Sequence, residues 1–172
     1  MTRRKVCDII NVYQRGRHSE TEEQQRMRVT QEADYAIRIC LILDSLGEKT
    51  GASTIADMAC ITPKIALKVL RKLNEAGIVR SYKGVQGGYK LTRSGEELKI
   101  IEIIQLIDGP IRISKCLDCD HECSRNPCKL DCKMHIAFDA INQKLVENLG
   151  LITVRMLHDS NVSHADIADI IN

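Results

Sequence analysis

The chain has 172 residues, a net charge of +2 and 44% hydrophobic residues, a composition typical of one folded domain of ordinary size. Aromatic residues make up only 3%, which argues against a reader of single-stranded nucleic acid built on stacked aromatic side chains. The apolar runs are too short to span a membrane, and no apolar signal segment follows the basic N-terminal residues. We therefore expect a cytoplasmic protein with no membrane contact.

The charge is distributed unevenly along the chain. Residues 1–26 carry six basic and four acidic residues, residues 27–95 carry eleven and six, and residues 96–172 carry eight and thirteen. The middle segment therefore has a net charge of +5 and the last segment one of −5. Within 62–93 the single acidic residue is Glu75, which predicts a surface that faces an anion such as a phosphate backbone.

The first 26 residues are polar and lack a helical apolar stripe. We predict that 1–26 form a flexible N-terminal extension. Met27 is an alternative start of the chain, in which case this extension is not part of the protein. In both cases the folded part is expected to begin near residue 27.

Three helices are predicted in the basic segment 27–95, because apolar residues recur there at helical spacing. Their predicted N-caps are Thr30, Ser53 and Thr62. Their predicted ends are Gly47, Ala59 and Gly77. The short second helix, a tight turn and the basic third helix together indicate a helix-turn-helix.

A β-hairpin is predicted directly after the third helix. Residues 78–83 form the expected first strand, 84–88 the turn and 89–91 the returning strand. The glycines of the turn permit a close approach to a sugar-phosphate backbone, so the hairpin is interpreted as the wing of a double-stranded DNA reader. The basic residues of this surface are Lys64, Lys68, Arg71, Lys72, Lys83 and Lys90. The alternative is a generic basic hairpin beside a solvated helix.

Two further helices are predicted in the acidic half of the chain. A capping box at 94–97 introduces a connecting helix, and 96–115 is interpreted as this helix and a linker. A long helix with an apolar stripe is expected within 133–172. The stripe consists of Met134, Phe138, Ile141 and Leu145. It is either core or a seam with a partner helix, and we favour a homodimer seam because two-fold DNA readers need a dimer.

The predicted fold class is therefore mainly α with a small β-wing, a winged helix-turn-helix followed by a long C-terminal dimerisation helix. Between the connecting and dimerisation helices, 116–132 holds five of the eight cysteines. These are Cys116, Cys119, Cys123, Cys128 and Cys132. Thiolates at such spacing can converge on one soft metal centre, whereas Cys40 and Cys60 are expected to be packed thiols.

Two metals are compatible with the cysteine loop. Zinc would add stability alone, while an iron-sulfur centre would add redox sensitivity, and the spacing does not separate them. A thiol-disulfide switch is a third alternative, but it needs only two of the five cysteines. A disulfide framework is not expected in a chain that is not exported.

Four motifs carry a family resemblance. They are Met27-Arg28-Val29-Thr30, Asp34-Tyr35-Ala36-Ile37-Arg38, Leu70-x2-Leu73-x3-Gly77-Ile78-Val79 and Lys83-Gly84-x2-Gly87-Gly88-Tyr89. They resemble the Rrf-type regulators, a family with an IscR branch and an NsrR branch. The resemblance implies a winged helix-turn-helix homodimer with a cluster-binding loop before the long helix. It also implies DNA contacts at the start of the recognition helix and at the wing, here Thr62, Lys64, Ile65, Lys68 and Lys83.

The resemblance further implies a set of cluster ligands. The family pattern is approximately Cys-x5-Cys-x5-Cys, and this loop is about four residues longer. Cys116 and Cys132 correspond to the first and third family cysteines. The middle ligand is one of Cys119, Cys123 and Cys128.

Two residues outside the loop are candidates for the fourth ligand. His135 occupies the position of the IscR-branch histidine, or is a helix-surface histidine. Asp34 occupies the position of the NsrR-branch carboxylate, or is a surface ion-pair partner. Five cysteines also permit an all-cysteine [4Fe-4S] site, so the resemblance leaves both [2Fe-2S] and [4Fe-4S] open.

We therefore expect a DNA-binding transcriptional regulator, not an enzyme, whose operator affinity an iron-sulfur cluster controls. One alternative is a zinc-stabilised regulator without cluster sensing. Another is a thiol redox or cluster-transfer protein, although the sequence lacks a nucleotide loop such as G-x-x-x-x-G-K.

Overall fold

The fold is known from a computed structural model that describes residues 29–84, 87–118, 123 and 131–171. The predicted extension, the wing tip at 85–86, and both Cys119 and Cys128 lie outside these residues. In the described part of the chain, no helix has the length and apolar character needed to cross a membrane.

The described residues form helices and one antiparallel hairpin. In chain order the elements are α1 (Gln31–Leu46), α2 (Ala52–Ala59), α3 (Pro63–Glu75), β1 (Val79–Tyr82), β2 (Gly88–Leu91), α4 (Ile100–Asp108), α5 (Lys133–Leu151) and α6 (His164–Ile170). Short 3-10 turns lie at Lys115–Leu117 and Arg155–Leu157. The predicted class, mainly helical with a small β-wing, is confirmed.

Helices α1 and α3 begin at the predicted N-caps. The Thr30 hydroxyl accepts a hydrogen bond from the Ala33 amide at 3.3 Å, and the Thr62 hydroxyl accepts one from the Ile65 amide at 3.4 Å. Helix α1 ends at Gly47, where the backbone turns into the left-handed region with a φ of 66°. Helix α3 ends at Glu75, two residues before the predicted limit.

Helix α2 begins earlier than predicted. Its N-cap is Gly51, so Ser53 lies inside the first turn and the predicted Ser53 cap is wrong. The cause is long-range, because Thr50 pairs with Tyr89 of β2 through amide-carbonyl hydrogen bonds of 3.0 and 2.9 Å. This pairing also requires Gly88, where φ is 149° and a Cβ would lie 2.7 Å from the Thr50 carbonyl oxygen.

Strands β1 and β2 form the predicted wing. They pair antiparallel with Arg80 opposite Lys90. The side-chain oxygen of Asn74, near the end of α3, accepts a hydrogen bond from the Ser81 amide of β1 at 2.9 Å. The recognition helix and the wing are therefore joined by a direct contact as well as by the chain.

Helix α4 begins later than predicted, after Lys99. Residues 94–97 form a turn, so the predicted capping box is wrong. Leu98 is fully buried and Lys99 pairs with Thr153, which keeps the backbone extended up to the helix. The Glu102 carboxylate then accepts a hydrogen bond from the Lys99 amide at 3.0 Å. This amide has no partner within the helix, so the bond satisfies it.

One hydrophobic core joins α1 to α2, α3, α4 and the wing. Its fully buried side chains include Ile39, Leu43, Ile55, Leu70, Leu73, Leu98, Ile103 and Val154. Cys40 is fully buried in this core, as predicted, and burial raises the pKa of its thiol, which makes it inert. The same prediction for Cys60 is wrong. Cys60 is exposed because it occupies the left-handed position, φ 55°, at the end of α2.

The segment that follows α5 returns to the N-terminal helices. Val154 is fully buried, and its amide donates to the Leu98 carbonyl at 2.8 Å. The Ile100 amide donates to the Ile152 carbonyl at 3.0 Å. Residues 152–154 are therefore part of the core rather than of a C-terminal tail.

Asp44 of α1 connects this returning segment to the rest of the fold. Its side chain is only 5% exposed and accepts hydrogen bonds from the Gly95 amide at 2.8 Å and from Arg155 Nη2 at 3.1 Å. His158 Nε2 lies 2.7 Å from the same carboxylate. Burial alone raises the pKa of Asp44, but the hydrogen bonds from His158, Gly95 and Arg155 outweigh burial and hold the pKa below its ordinary value.

Replacing Asp44 with Asn should lower the free energy of unfolding by about 3 kcal/mol at neutral pH, because Arg155 and His158 lose a buried charge partner. The folded-state pKa is lowered, so this contribution is present above the unfolded pKa of about 3.9 and is lost as the pH falls through the lower folded-state pKa. Chemical denaturation at neutral and at acidic pH measures the difference between wild type and Asp44→Asn.

The exposed Asp57 of α2 provides a control with the same chemical change. Asp57→Asn should stay within about 0.5 kcal/mol of the wild type. If Asp44→Asn is as stable as Asp57→Asn at neutral pH, Asp44 does not hold the returning segment in place.

Candidate nucleic-acid interface and metal loop

The outward face of α3 is basic and its inward face is apolar. The fully buried residues are Ala66, Val69, Leu70 and Leu73. Four exposed residues follow the spacing i, i+3, i+4 and i+7 and form this outward face: Lys64, Leu67, Lys68 and Arg71. Because burial of the apolar stripe fixes the rotation of the helix, three of the predicted basic contacts lie on one outward face.

The predicted DNA contacts differ in how much of each side chain is accessible. Thr62 is exposed at the start of α3, and Lys72 is half-buried. Ile65 is half-buried and packs against the core, so less of it is accessible than predicted. Leu67, which the sequence prediction did not include, is 48% exposed in the centre of the basic face. Its position outside the buried stripe is the sequence signal that could have identified it.

Glu32, in the first turn of α1, forms ion pairs with two lysines of α3. Its Oε2 lies 2.8 Å from Lys68 Nζ, and its Oε1 lies 2.7 Å from Lys72 Nζ. The ammonium groups of Lys68 and Lys72 hold the pKa of Glu32 below its ordinary value, although partial burial opposes them. Sequence reasoning missed this residue, because nothing local indicates that α1 crosses α3 at this point.

The wing adds basic side chains beside α3. Lys83 follows β1 and Lys90 lies on β2, and both are exposed as predicted. Lys49, which the sequence prediction did not include, places its ammonium 4.5 Å from the centroid of the Tyr82 ring. Both strands of the wing therefore carry or adjoin exposed basic side chains.

The cysteine loop begins and ends on ordered elements. Cys116 lies in the 3-10 turn, with its Sγ 3.3 Å from Ser114 Oγ, and Cys132 is the N-cap of α5. Both are partly buried, as is Cys123 within the loop. The two cysteines predicted as the outer ligands therefore stand at the two ends of the loop.

His135 lies in the first turn of α5, just after Cys132. Its Nδ1 is buried and has no hydrogen-bond partner among the described residues. Buried polar atoms normally have partners, so this nitrogen is suited to a metal, and thiolates with an imidazole suit zinc or iron. Among residues 29–84, 87–118, 123 and 131–171, no three His, Cys, Asp or Glu side chains lie together as a metal site.

Asp34, the other candidate for the fourth ligand, makes a contact within α1. Its Oδ2 lies 2.6 Å from Arg38 Nη2, one helical turn away. This contact corresponds to the ion-pair alternative that the sequence left open. Ligation of a metal by Asp34 would have to compete with this pair.

Asn142 of α5 holds the segment that leads into the cysteine loop. It is a buried polar residue whose Oδ1 accepts from the Ile113 amide at 3.0 Å and whose Nδ2 donates to the Ile111 carbonyl at 3.1 Å. These bonds fix the chain before Cys116 against the helix that begins after Cys132. Asn142 thus ties the segment before the loop to the helix that follows the loop.

Replacing Asn142 with Ala should lower the free energy of unfolding by about 1–3 kcal/mol, because two backbone groups lose their buried partners. Amide exchange of the peptide 109–118 should accelerate, which hydrogen-deuterium exchange measures directly. The control is Gln143→Ala, since Gln143 is exposed and bonds only to Asp139 on its own helix among the described contacts. Equal exchange of this peptide in the two variants would contradict a role of Asn142 in holding the loop.

Known proteins share this sequence pattern. The profile of the Rrf2 family, described as an iron-dependent transcriptional regulator, matches residues 29–160. The transcriptional regulator NsrR of Shouchella clausii is 30% identical over 124 residues, which are 69% of this chain and 83% of that protein. Two HTH-type regulators of Mycobacterium tuberculosis are 34% identical over 87 residues. This match covers 49% of this chain and only 54% of each relative.

Solved structures share the fold. CymR, the global cysteine regulator of B. subtilis, superposes with a TM-score of 0.61 at 22% identity and covers 77% of this chain and 96% of its own. T. potens IscR superposes with a TM-score of 0.56 at 19% identity. The match covers 86% of this chain and 90% of that protein. At these identities the likeness establishes the winged-helix fold alone. The family description is that of a regulator and not of an enzyme, as the sequence predicted.

Proposed function

Because the chain belongs to the Rrf2 family of transcriptional regulators, we propose that it binds a double-stranded DNA operator as a homodimer under the control of an iron-sulfur cluster. The observation that carries the DNA-binding part is the exposed basic face of α3 beside the wing. A basic helix with a buried opposite face is suited to the major groove, and a basic hairpin is suited to the adjacent backbone.

Each candidate contact has a role that its chemistry supports. Lys64 and Lys68 can reach phosphates or a guanine edge, and Ile65 offers an apolar contact to a thymine methyl group. Thr62, exposed at the N-terminus of α3, is suited to a phosphate oxygen. The remaining basic residues, suited to the sugar-phosphate backbone, are Arg71, Lys72, Lys83 and Lys90.

The exposed apolar side chains of α5 support the homodimer. Met134 is 53% exposed and Ile141 is 56% exposed, while Phe138 and Leu145 of the same stripe are half-buried. A second copy of α5 would remove this stripe from water. The two winged helix-turn-helix units of such a dimer would match half-sites about one helical turn of DNA apart.

The donor set at the loop supports the cluster. The residues that would hold it are Cys116 and Cys132, with a third thiolate from Cys119, Cys123 or Cys128 and with His135 or Asp34 as a further ligand. A bound cluster supplies redox sensitivity. Because Cys116 and Cys132 lie at the two ends of the loop, a shared centre would hold the loop in one arrangement against α5. A ligand changes DNA affinity only if it favours one such arrangement.

The cluster is tested by anaerobic purification, a visible spectrum, and iron, sulfide and zinc determinations on one sample. Matched iron and sulfide with visible absorption is the expected result, and one zinc per chain without colour would favour a zinc-stabilised regulator instead. Cys116→Ala and Cys132→Ala should lose the centre. Cys60→Ser, outside the loop, should keep it. Full iron and absorbance in either loop variant would refute the assignment of that cysteine.

Lys64→Gln should weaken duplex binding by about 3- to 10-fold and reduce the salt slope of log K by about one, because a phosphate contact releases counterions. Fluorescence anisotropy with a labelled duplex at several salt concentrations measures both quantities. Lys144→Gln removes the same charge from the exposed surface of α5 and should leave both unchanged. A wild-type protein that binds no duplex in a salt-dependent way, with and without its metal, would refute DNA binding.

A further inference from the structure

Two of the four basic residues of α3 form ion pairs with a single carboxylate of another helix, that of Glu32 in α1. Lys68 and Lys72 approach the two oxygens of the Glu32 carboxylate at 2.8 and 2.7 Å, one lysine on each oxygen. We propose that Glu32 is an internal competitor of DNA phosphate, which lowers DNA affinity and salt dependence by holding these two lysines. This inference rests on the proposed DNA binding and adds a regulatory contact to it.

The geometry makes Glu32 a fixed anion rather than a mobile surface charge. Its side chain is 26% exposed, so it is less accessible than the lysines that it holds. It lies in the first turn of α1, where the positive end of the helix dipole stabilises a carboxylate. Each of its two oxygens faces the ammonium group of a different lysine.

The other ion pair of α3 provides a contrast. Arg71 pairs with Glu75 at 2.8 Å, but both side chains lie on the same helix and are mostly exposed, at 81% and 60%. Such a pair contributes little and opens readily. Glu32 belongs to another element and binds two lysines at once, so both contacts have to open before both lysines can reach phosphates.

This competition has a defined thermodynamic signature. When Lys68 and Lys72 move to phosphates, the DNA releases condensed cations, but the freed Glu32 carboxylate attracts a cation from solution. The net release of cations is therefore smaller than the number of phosphate contacts implies. Removing the Glu32 charge should raise affinity and make the salt dependence steeper.

The variant Glu32→Gln tests the proposed competition. Glu75→Gln is its control, because it makes the same charge change on α3 itself. The protein as purified anaerobically is titrated into a labelled random-sequence duplex at several salt concentrations between about 50 and 300 mM. Glu32→Gln should bind about 3- to 10-fold more tightly at low salt, with a salt slope steeper by about one. Glu75→Gln should change affinity by less than about twofold.

A second comparison separates competition for the lysines from a general effect of charge. In a Lys68→Gln, Lys72→Gln background, the same Glu32→Gln change should no longer raise affinity. If Glu32→Gln still raises affinity by the full factor in this background, the inference is wrong while DNA binding stands. The same holds if Glu32→Gln and Glu75→Gln have equal effects in the otherwise unchanged chain. If the wild type binds no duplex, both the proposed function and this inference fail. Circular dichroism and thermal unfolding verify that each variant is folded.

Discussion

One buried carboxylate joins the segment that follows α5 to the winged helix-turn-helix. Asp44 of α1 meets the Gly95 amide on one side and Arg155 with His158 on the other. Gly95 has no room for a side chain, because a Cβ there would contact the Asp44 carboxylate. An unpaired buried charge is strongly unfavourable, so other arrangements of these three segments are disfavoured. The contact thus selects one geometry for α1, the turn after the wing and the segment after α5.

The first turn of α1 contacts both the end of α4, which leads towards the cysteine loop, and the recognition helix α3. The Thr30 amide donates to Asp108 Oδ2 at 3.0 Å, at the point where α4 ends and the chain enters the loop. Two residues later, Glu32 holds Lys68 and Lys72 of α3. One short segment therefore contacts both the end of α4 and the proposed DNA surface. Contiguous contacts of this kind carry coupling only when an element has two arrangements, and under the proposed competition the Glu32 ion pairs would be closed in one and open in the other.

The winged helix-turn-helix was predictable because its signals are local. Thr30 and Thr62 cap the helices that the sequence assigned to them, and the apolar stripe of α3 is the buried face. The two capping predictions that failed, Ser53 and 94–97, failed for a common reason. Extended pairing with Tyr89 in one case and with Thr153 in the other decided where the next helix begins. A capping motif gives no information about a partner so distant along the chain.

The candidate site was predictable in residue type but not in how its residues are engaged. Composition identified the basic face of α3, yet only the packing of α1 across it shows that Glu32 neutralises part of that face. The net charge of a segment therefore overstates the charge that is available to DNA. Affinity at one salt concentration does not separate available lysines from engaged ones, whereas the salt slope does, because it counts the cations exchanged. Under the proposed competition, one acidic residue of α1 therefore sets DNA affinity together with the basic residues of α3.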